Sequence, residues 1–176
     1  MDSYLTQMVQ LRKSINESPP EGFHYWCGED YVLTNGQRYK SGELTEAEHE
    51  AVMEALANWG RTPIPRHCFH NAQMLTMNDH SGLLTYVEGY ANGLAPIPLH
   101  HGWLAVGGKV VDLTWRTEDG HHIQGYIPKG WCYYGAEFSR EVIVERALKR
   151  EATHSLLDDW EEGFPLYKEA RPGEEA

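Results

Sequence analysis

The chain has 176 residues, 41% of them hydrophobic and 11% aromatic, which fits one domain with its own core and excludes disorder for most of its length. Its 15 Lys and Arg stand against 26 Asp and Glu, a net charge of −11 that argues against nucleic acid or an anionic membrane as the main partner. Cys27, Cys68 and Cys132 are odd in number and widely spaced, so they read as reduced thiols in a cytoplasmic protein rather than a disulfide framework. Met1–Gln7 has neither a basic start nor an apolar stretch, so no signal peptide is expected. No apolar run approaches the ~20 residues of a membrane span.

Tyr4, Leu5, Met8, Leu11 and Ile15 form a helical stripe over residues 4–17, ended by Pro19-Pro20. Residues 23–40 carry many aromatics, are cut by Gly28 and Asn35-Gly36, and read as one or two short strands with an Asn-Gly turn. Thr45 and Glu48 make a capping box for a helix that runs to about Trp59 and stops at Gly60. Its acids, Glu46, Glu48, Glu50 and Glu54, read as a solvated face. Pro63-Ile-Pro65 is an extended lead-in to a helix from about Arg66 to Met77. Strands follow at 83–91 and 100–106, bracketing a loop with Asn92-Gly93 and Pro96-Ile-Pro98. Gly107-Gly108 is a two-residue hairpin turn into a strand at 109–115. Beyond a loop with Gly120 and Pro128-Lys-Gly130 lies the aromatic stretch Trp131 to Tyr134, and Ser139 caps a helix from Arg140 to about Arg150. Residues 155–160 add one helical turn, and 170–176 read as a frayed tail. The expected architecture is α+β, a single domain over 1–176 with its core at about 23–166: helices on one side of a small antiparallel sheet.

The hairpin register locates a candidate site. A two-residue turn pairs Val106 with Lys109 and Leu104 with Val111. Strand alternation then puts Leu104, Val106, Val111 and Leu113 on one face, and His101, Trp103, Asp112 and Thr114 on the other. His101 and Asp112 become diagonal neighbours, and His100 points away from them. Cys68 falls in the first turn of its helix, where free N–H groups and the helix dipole favour a thiolate. Its own backbone N–H is a ready donor to an oxyanion. A thiol, an imidazole and a carboxylate in this arrangement are what a cysteine nucleophile requires: Cys68 attacks, His101 is the base, Asp112 orients it, and Trp103 shields the pair from water.

Cys68-Phe-His-Asn71-Ala72, Tyr86-Val-Glu88-Gly-Tyr90, His101-Gly-Trp103 and Val111-Asp112-Leu-Thr114 together resemble the core of the papain-like superfamily. Within it they are most similar to transglutaminase-like cysteine enzymes and small uncharacterised bacterial and phage proteins. The resemblance covers roughly residues 65–140. It implies a central helix bearing the cysteine, packed on an antiparallel sheet bearing the histidine and aspartate. Carried over, Cys68 is nucleophile, His101 base and Asp112 orienter, and Trp103 matches the tryptophan two residues after the histidine. Leu113 stands where such relatives often have proline. The glutamine that supplies the papain oxyanion side chain is missing before Cys68, leaving Gln37 or Asn71 as substitutes.

Glu88, inside a strand pattern, sits on a wet face or reads a substrate amine; Tyr134, in Tyr133-Tyr134-Gly135, packs the sheet edge or lines the cleft. His121-His122 read as solvated. Zinc at His67, Cys68, His70, His100 and His101 is disfavoured by the Cys-x-His spacing and the lack of a second Cys pair, and no Gly-rich phosphate loop calls for a cofactor. The expected chemistry is acyl transfer through a thioester on a protein, peptide or small amide: hydrolysis first, transfer to an amine second. A non-catalytic adaptor that keeps the fold as a binding module is the rival.

Overall fold

The computed structural model describes residues 1–93, 97–117, 120–122 and 130–174. The loop expectations at 94–96 and 123–129, and the side chains of His121 and His122, lie outside the described residues. The architecture is α+β. Among the described residues five α-helices, α1 (Asp2–Ile15), α2 (Gly28–Asn35), α3 (Glu46–Trp59), α4 (Cys68–Asn78) and α5 (Arg140–Arg150), accompany six strands. These are β1 (Gln37–Tyr39), β2 (Thr85–Asn92), β3 (Leu99–Val106), β4 (Lys109–Thr117), β5 (Gly120–His122) and β6 (Cys132–Phe138), in the sheet order β1-β6-β2-β3-β4-β5. No helix among the described residues is long and apolar enough to cross a membrane.

The sheet curls. Tyr39 on β1 meets Trp103 on β3 edge-on at 5.6 Å, although two strands lie between them. The chain leaving β1 returns to β4: Lys40 N–H donates to Gly108 O at 3.2 Å, and Lys40 O accepts from Val110 N–H at 3.1 Å. Strand alternation therefore builds two cores. The convex face carries Tyr86, Leu104, Val106, Val111, Leu113, Ala136 and Phe138 against the helices. The concave face encloses Tyr39, Val87, Ala91, Trp103, Ala105, Val110, Trp115 and Tyr133.

The β3–β4 hairpin has the register that its turn dictates. Val106 pairs with Lys109, Ala105 with Val110 and Leu104 with Val111. Gly107 (φ 58°) and Gly108 (φ 77°) both occupy the left-handed region that a type I′ turn demands. The α3 capping box is present in both directions, and Ser139 caps α5.

Five local expectations need correction. Of the one or two short strands expected over 23–40, one is present as β1, but the part before Asn35-Gly36 forms α2 and there is no Asn-Gly turn: Asn35 turns its amide back onto Tyr31 O (3.0 Å) and the Tyr25 hydroxyl (3.1 Å), while Gly36 is extended. The β6 stretch is no edge; it pairs with both β1 and β2. Residues 155–159 contain no helix; the short 3₁₀ turns come later, at Trp160–Glu162 and Pro165–Lys168. Part of the expected frayed tail is anchored, since Arg171 bonds His24 O at 2.7 Å, pairs with Asp30 and lies over the Tyr25 ring. The N-terminal helix also belongs to the core, through Leu5 and Val9.

Candidate active site

Cys68 is the first residue of α4, and its helix start is fixed by Asn71. That buried amide accepts from Ile64 N–H (2.9 Å) and donates to Ile64 O (2.8 Å) and the Thr114 hydroxyl (2.9 Å). One side chain thus ties the proline-rich lead-in and β4 to the same helical turn. Arg66, just before the helix, takes φ 67°, a left-handed conformation that costs a non-glycine residue of order 1–3 kcal/mol. No side chain caps the first turn at His67, so the N–H groups around Cys68 are not taken by a capping group. Gly102 lets α4 approach β3: a Cβ there would stand 2.9 Å from the Phe69 ring.

On β3, His101 faces the concave side and is 2% exposed. Its Nε2 lies 2.7 Å from Asp112 Oδ2. With an ionised carboxylate as partner, Nε2 is the protonated nitrogen. Asp112 is fully buried and fully engaged. Its Oδ1 accepts from Thr114 N–H (2.8 Å) and Trp115 N–H (3.1 Å), and its Oδ2 also accepts from the Tyr133 hydroxyl (2.9 Å). Burial alone disfavours its charge; the His101 charge and these hydrogen bonds outweigh burial and lower its pKa. His101 shows the converse. Burial opposes its charged form, but the Asp112 carboxylate first, and then the nearby Cys68 thiol, lift it to about 9. Since Nε2 is held by Asp112, Nδ1 is the nitrogen left to serve Cys68.

The structure therefore brings Cys68, His101 and Asp112 together. A cleft of about 550 Å³ opens on Cys68 and His101, lined also by Pro65, Arg66, Leu99 and Trp115 among others. Trp103 shares the His101 face, ring centres 6.2 Å apart, but the nearer cover is Trp115, stacked at 4.3 Å. Thr114 departs from its expected face. A bulge after Asp112, whose carboxylate captures the next backbone N–H groups, turns Thr114 toward α4 and Trp115 toward His101.

Four of the expected supporting residues stand elsewhere. Gln37, on β1, spends its amide on Glu137 (3.0 Å) and the Tyr39 hydroxyl (3.4 Å) and does not line the cleft. Asn71 is no oxyanion donor, because both its amide hydrogens and its oxygen are committed to Ile64 and Thr114. Glu88 is neither wet nor open to a substrate amine. It is 0% exposed and accepts from the Tyr86 hydroxyl (2.7 Å), Leu156 N–H (2.8 Å), Leu157 N–H (3.0 Å) and the Ser155 hydroxyl, with His100 Nε2 at 2.9 Å. Tyr134 points to the helix side, half-buried against the main core. Its neighbour Tyr133 is the tyrosine of the site. Burial and the adjacent Asp112 charge raise its pKa, so it remains a donor. Strand alternation over Tyr133-Tyr134 guarantees one tyrosine per face; the choice depended on a β6 register that lies far away in sequence.

Cys68 contrasts with the other thiols. Cys27 is buried, and that burial pushes its thiol up to about 12. Cys132 lies at the start of β6 and does not line the cleft. Among the described residues, no three His, Cys, Asp or Glu side chains converge as a metal-ligand set. No protein-family model, curated protein or solved structure matches this chain.

Proposed function

We propose that this protein is a cysteine-dependent acyl-transfer enzyme of papain-like type that forms a thioester on Cys68, with hydrolysis of a peptide, isopeptide or amide bond as its main outcome. The observation that carries this reading is His101, buried against Asp112 (2.7 Å) and sharing a cleft wall with the half-buried Cys68 thiol. A pair raised only for stability has no need of a thiol at the head of a helix, opening on a cleft.

In the proposed reaction the Cys68 proton passes to His101 Nδ1, and the sulfur forms a bond to the substrate carbonyl carbon. The carbonyl electrons move onto oxygen, where the Cys68 backbone N–H donates. Collapse breaks the C–N bond, and the departing amine takes the proton from His101. Water then attacks the thioester as His101 accepts its proton, the C–S bond breaks, and the acid leaves. An amine in place of water gives transfer instead. Asp112 holds the imidazole in the tautomer and orientation that both halves need, and Tyr133 holds Asp112.

The test uses a neutral peptidyl vinyl sulfone, with labelling sites read by mass spectrometry. The expected result is one adduct, at Cys68, absent from Cys68→Ala and slowed strongly in His101→Ala. Labelling spread over Cys27 and Cys132, or equal labelling in His101→Ala, would return the protein to the binding-module reading.

A further inference from the structure

Beside the Cys68 cleft lies a second depression of about 500 Å³, whose polar lining is Arg61, Arg66, His67, His70, Thr153 and His154. Arg66 lines both cavities, so they adjoin within one helical turn of the nucleophile. Among the described residues no carboxylate lines this depression, in a chain of net charge −11. Among the described residues, Arg61, Arg66 and His67 form no ion pair, and only His154 has an acidic neighbour, Asp159 at 3.5 Å. Burial first, then the charges of His67 and Arg61, lower the pKa of His70, which leaves it a neutral hydrogen-bonding group there. Two guanidinium groups lining one depression, in an otherwise acidic protein, make a concave region of positive potential. Guanidinium groups and imidazole N–H donors suit the planar geometry of a carboxylate.

Resting on the acyl-transfer reading of Cys68, we propose that this pocket is a substrate subsite that binds an acidic side chain, Asp or Glu, carried one or two residues from the acyl carbon attacked by Cys68. The reach follows from the shared wall: an extended peptide advances about 3.3 Å per residue, and Arg66, His67 and Cys68 are consecutive. Arg61 and Arg66 supply the charge-assisted hydrogen bonds, and His70 and Thr153, in contact at 2.5 Å, complete the polar wall.

The experiment compares blocked peptidyl vinyl sulfones that differ only by Asp against Asn at the residue beside the warhead, or one further out, with rates of Cys68 adduct formation as the readout. The expected Asp-to-Asn ratio in the wild type is on the order of 10, the worth of one charge-assisted hydrogen bond. It should fall toward 1 in Arg61→Gln and in Arg66→Gln, and below 1 in Arg61→Glu. Reading the ratio within each variant cancels changes in thiol reactivity, and a melting curve for each variant confirms folding. Cys68 labelling without any Asp preference in the wild type overturns the subsite while leaving the acyl-transfer reading intact. A phosphoserine probe that outpaces the Asp probe tenfold overturns the carboxylate assignment. Failure of every probe to label Cys68 overturns the acyl-transfer reading itself, and the subsite with it.

Discussion

Replacing Asp112 by Asn changes one oxygen to an amide and leaves the volume of the site almost untouched. In the native protein the Asp112 carboxylate and Cys68 hold His101 at about 9 against the opposing effect of burial. Without the carboxylate, His101 falls to its ordinary ~6.5 or lower. At pH 7.5 the charged fraction of the imidazole then drops from ~97% to ~9%, about tenfold, before any loss of orientation. The amide also presents a donor toward Nε2 and so favours the wrong tautomer for a base at Nδ1. By analogy with serine triads the combined cost to turnover is on the order of 10²–10⁴. Folding has a ready control. Asn retains an oxygen for the Thr114 and Trp115 N–H groups, so a melting curve separates loss of the site from loss of the fold. The assay is site-resolved labelling of Cys68 by a neutral electrophile at pH 7.5, in wild type and Asp112→Asn. A fall of tenfold or more with the fold intact is expected; equal rates in a folded variant would refute the orienting role.

Glu88→Ala should cost about 3–5 kcal/mol of stability, because it strands the buried donors of Tyr86, Ser155, Leu156 and Leu157 and the ring of His100. Cys68 labelling well below the melting point should survive it; lost labelling with unchanged stability would restore a substrate-binding role. The His101 shift also makes stability depend on pH. A pKa raised from 6.5 to about 9 gives a contribution fully present below pH ~6.5 and lost as pH rises through about 9, of order 3 kcal/mol. Chemical denaturation at pH 6 and pH 10 should therefore show the gap between wild type and His101→Gln narrowing by that amount, and a constant gap would contradict it. Acid acts through Asp112: its lowered pKa gives stability present above pH ~3.8 and lost as pH falls through the folded value.

The central geometry was legible in the sequence because a two-residue Gly107-Gly108 turn leaves little freedom in register. With that register set, the shared face of His101 and Asp112 follows from alternation alone. The opposite direction of His100 follows too, and the structure gives it to Glu88. Alternation failed two residues past Asp112, at Thr114, where a side chain competing for backbone N–H groups starts a bulge, so Trp115 and not Trp103 lies closest to the imidazole. Helix α2 was illegible for a related reason. An Asn-Gly pair signals a hairpin only if the glycine takes positive φ, and here Gly36 sits extended at φ −99°. Gln37, Asn71, Glu88 and Tyr134 were placed by residue type, but their bonding partners come from segments up to about 100 residues away. Short-range periodicity carries no information on such pairings.

Alkylation of the three cysteines by iodoacetamide near neutral pH, resolved residue by residue in wild type and His101→Ala, tests the central claim most directly. If Cys68 and His101 act as one unit, Cys68 reacts far faster than Cys27, whose burial holds its thiol at about 12, and that advantage collapses in His101→Ala while Cys27 and Cys132 are unchanged. A Cys68 rate no greater than that of Cys132, or one indifferent to the loss of His101, would contradict it.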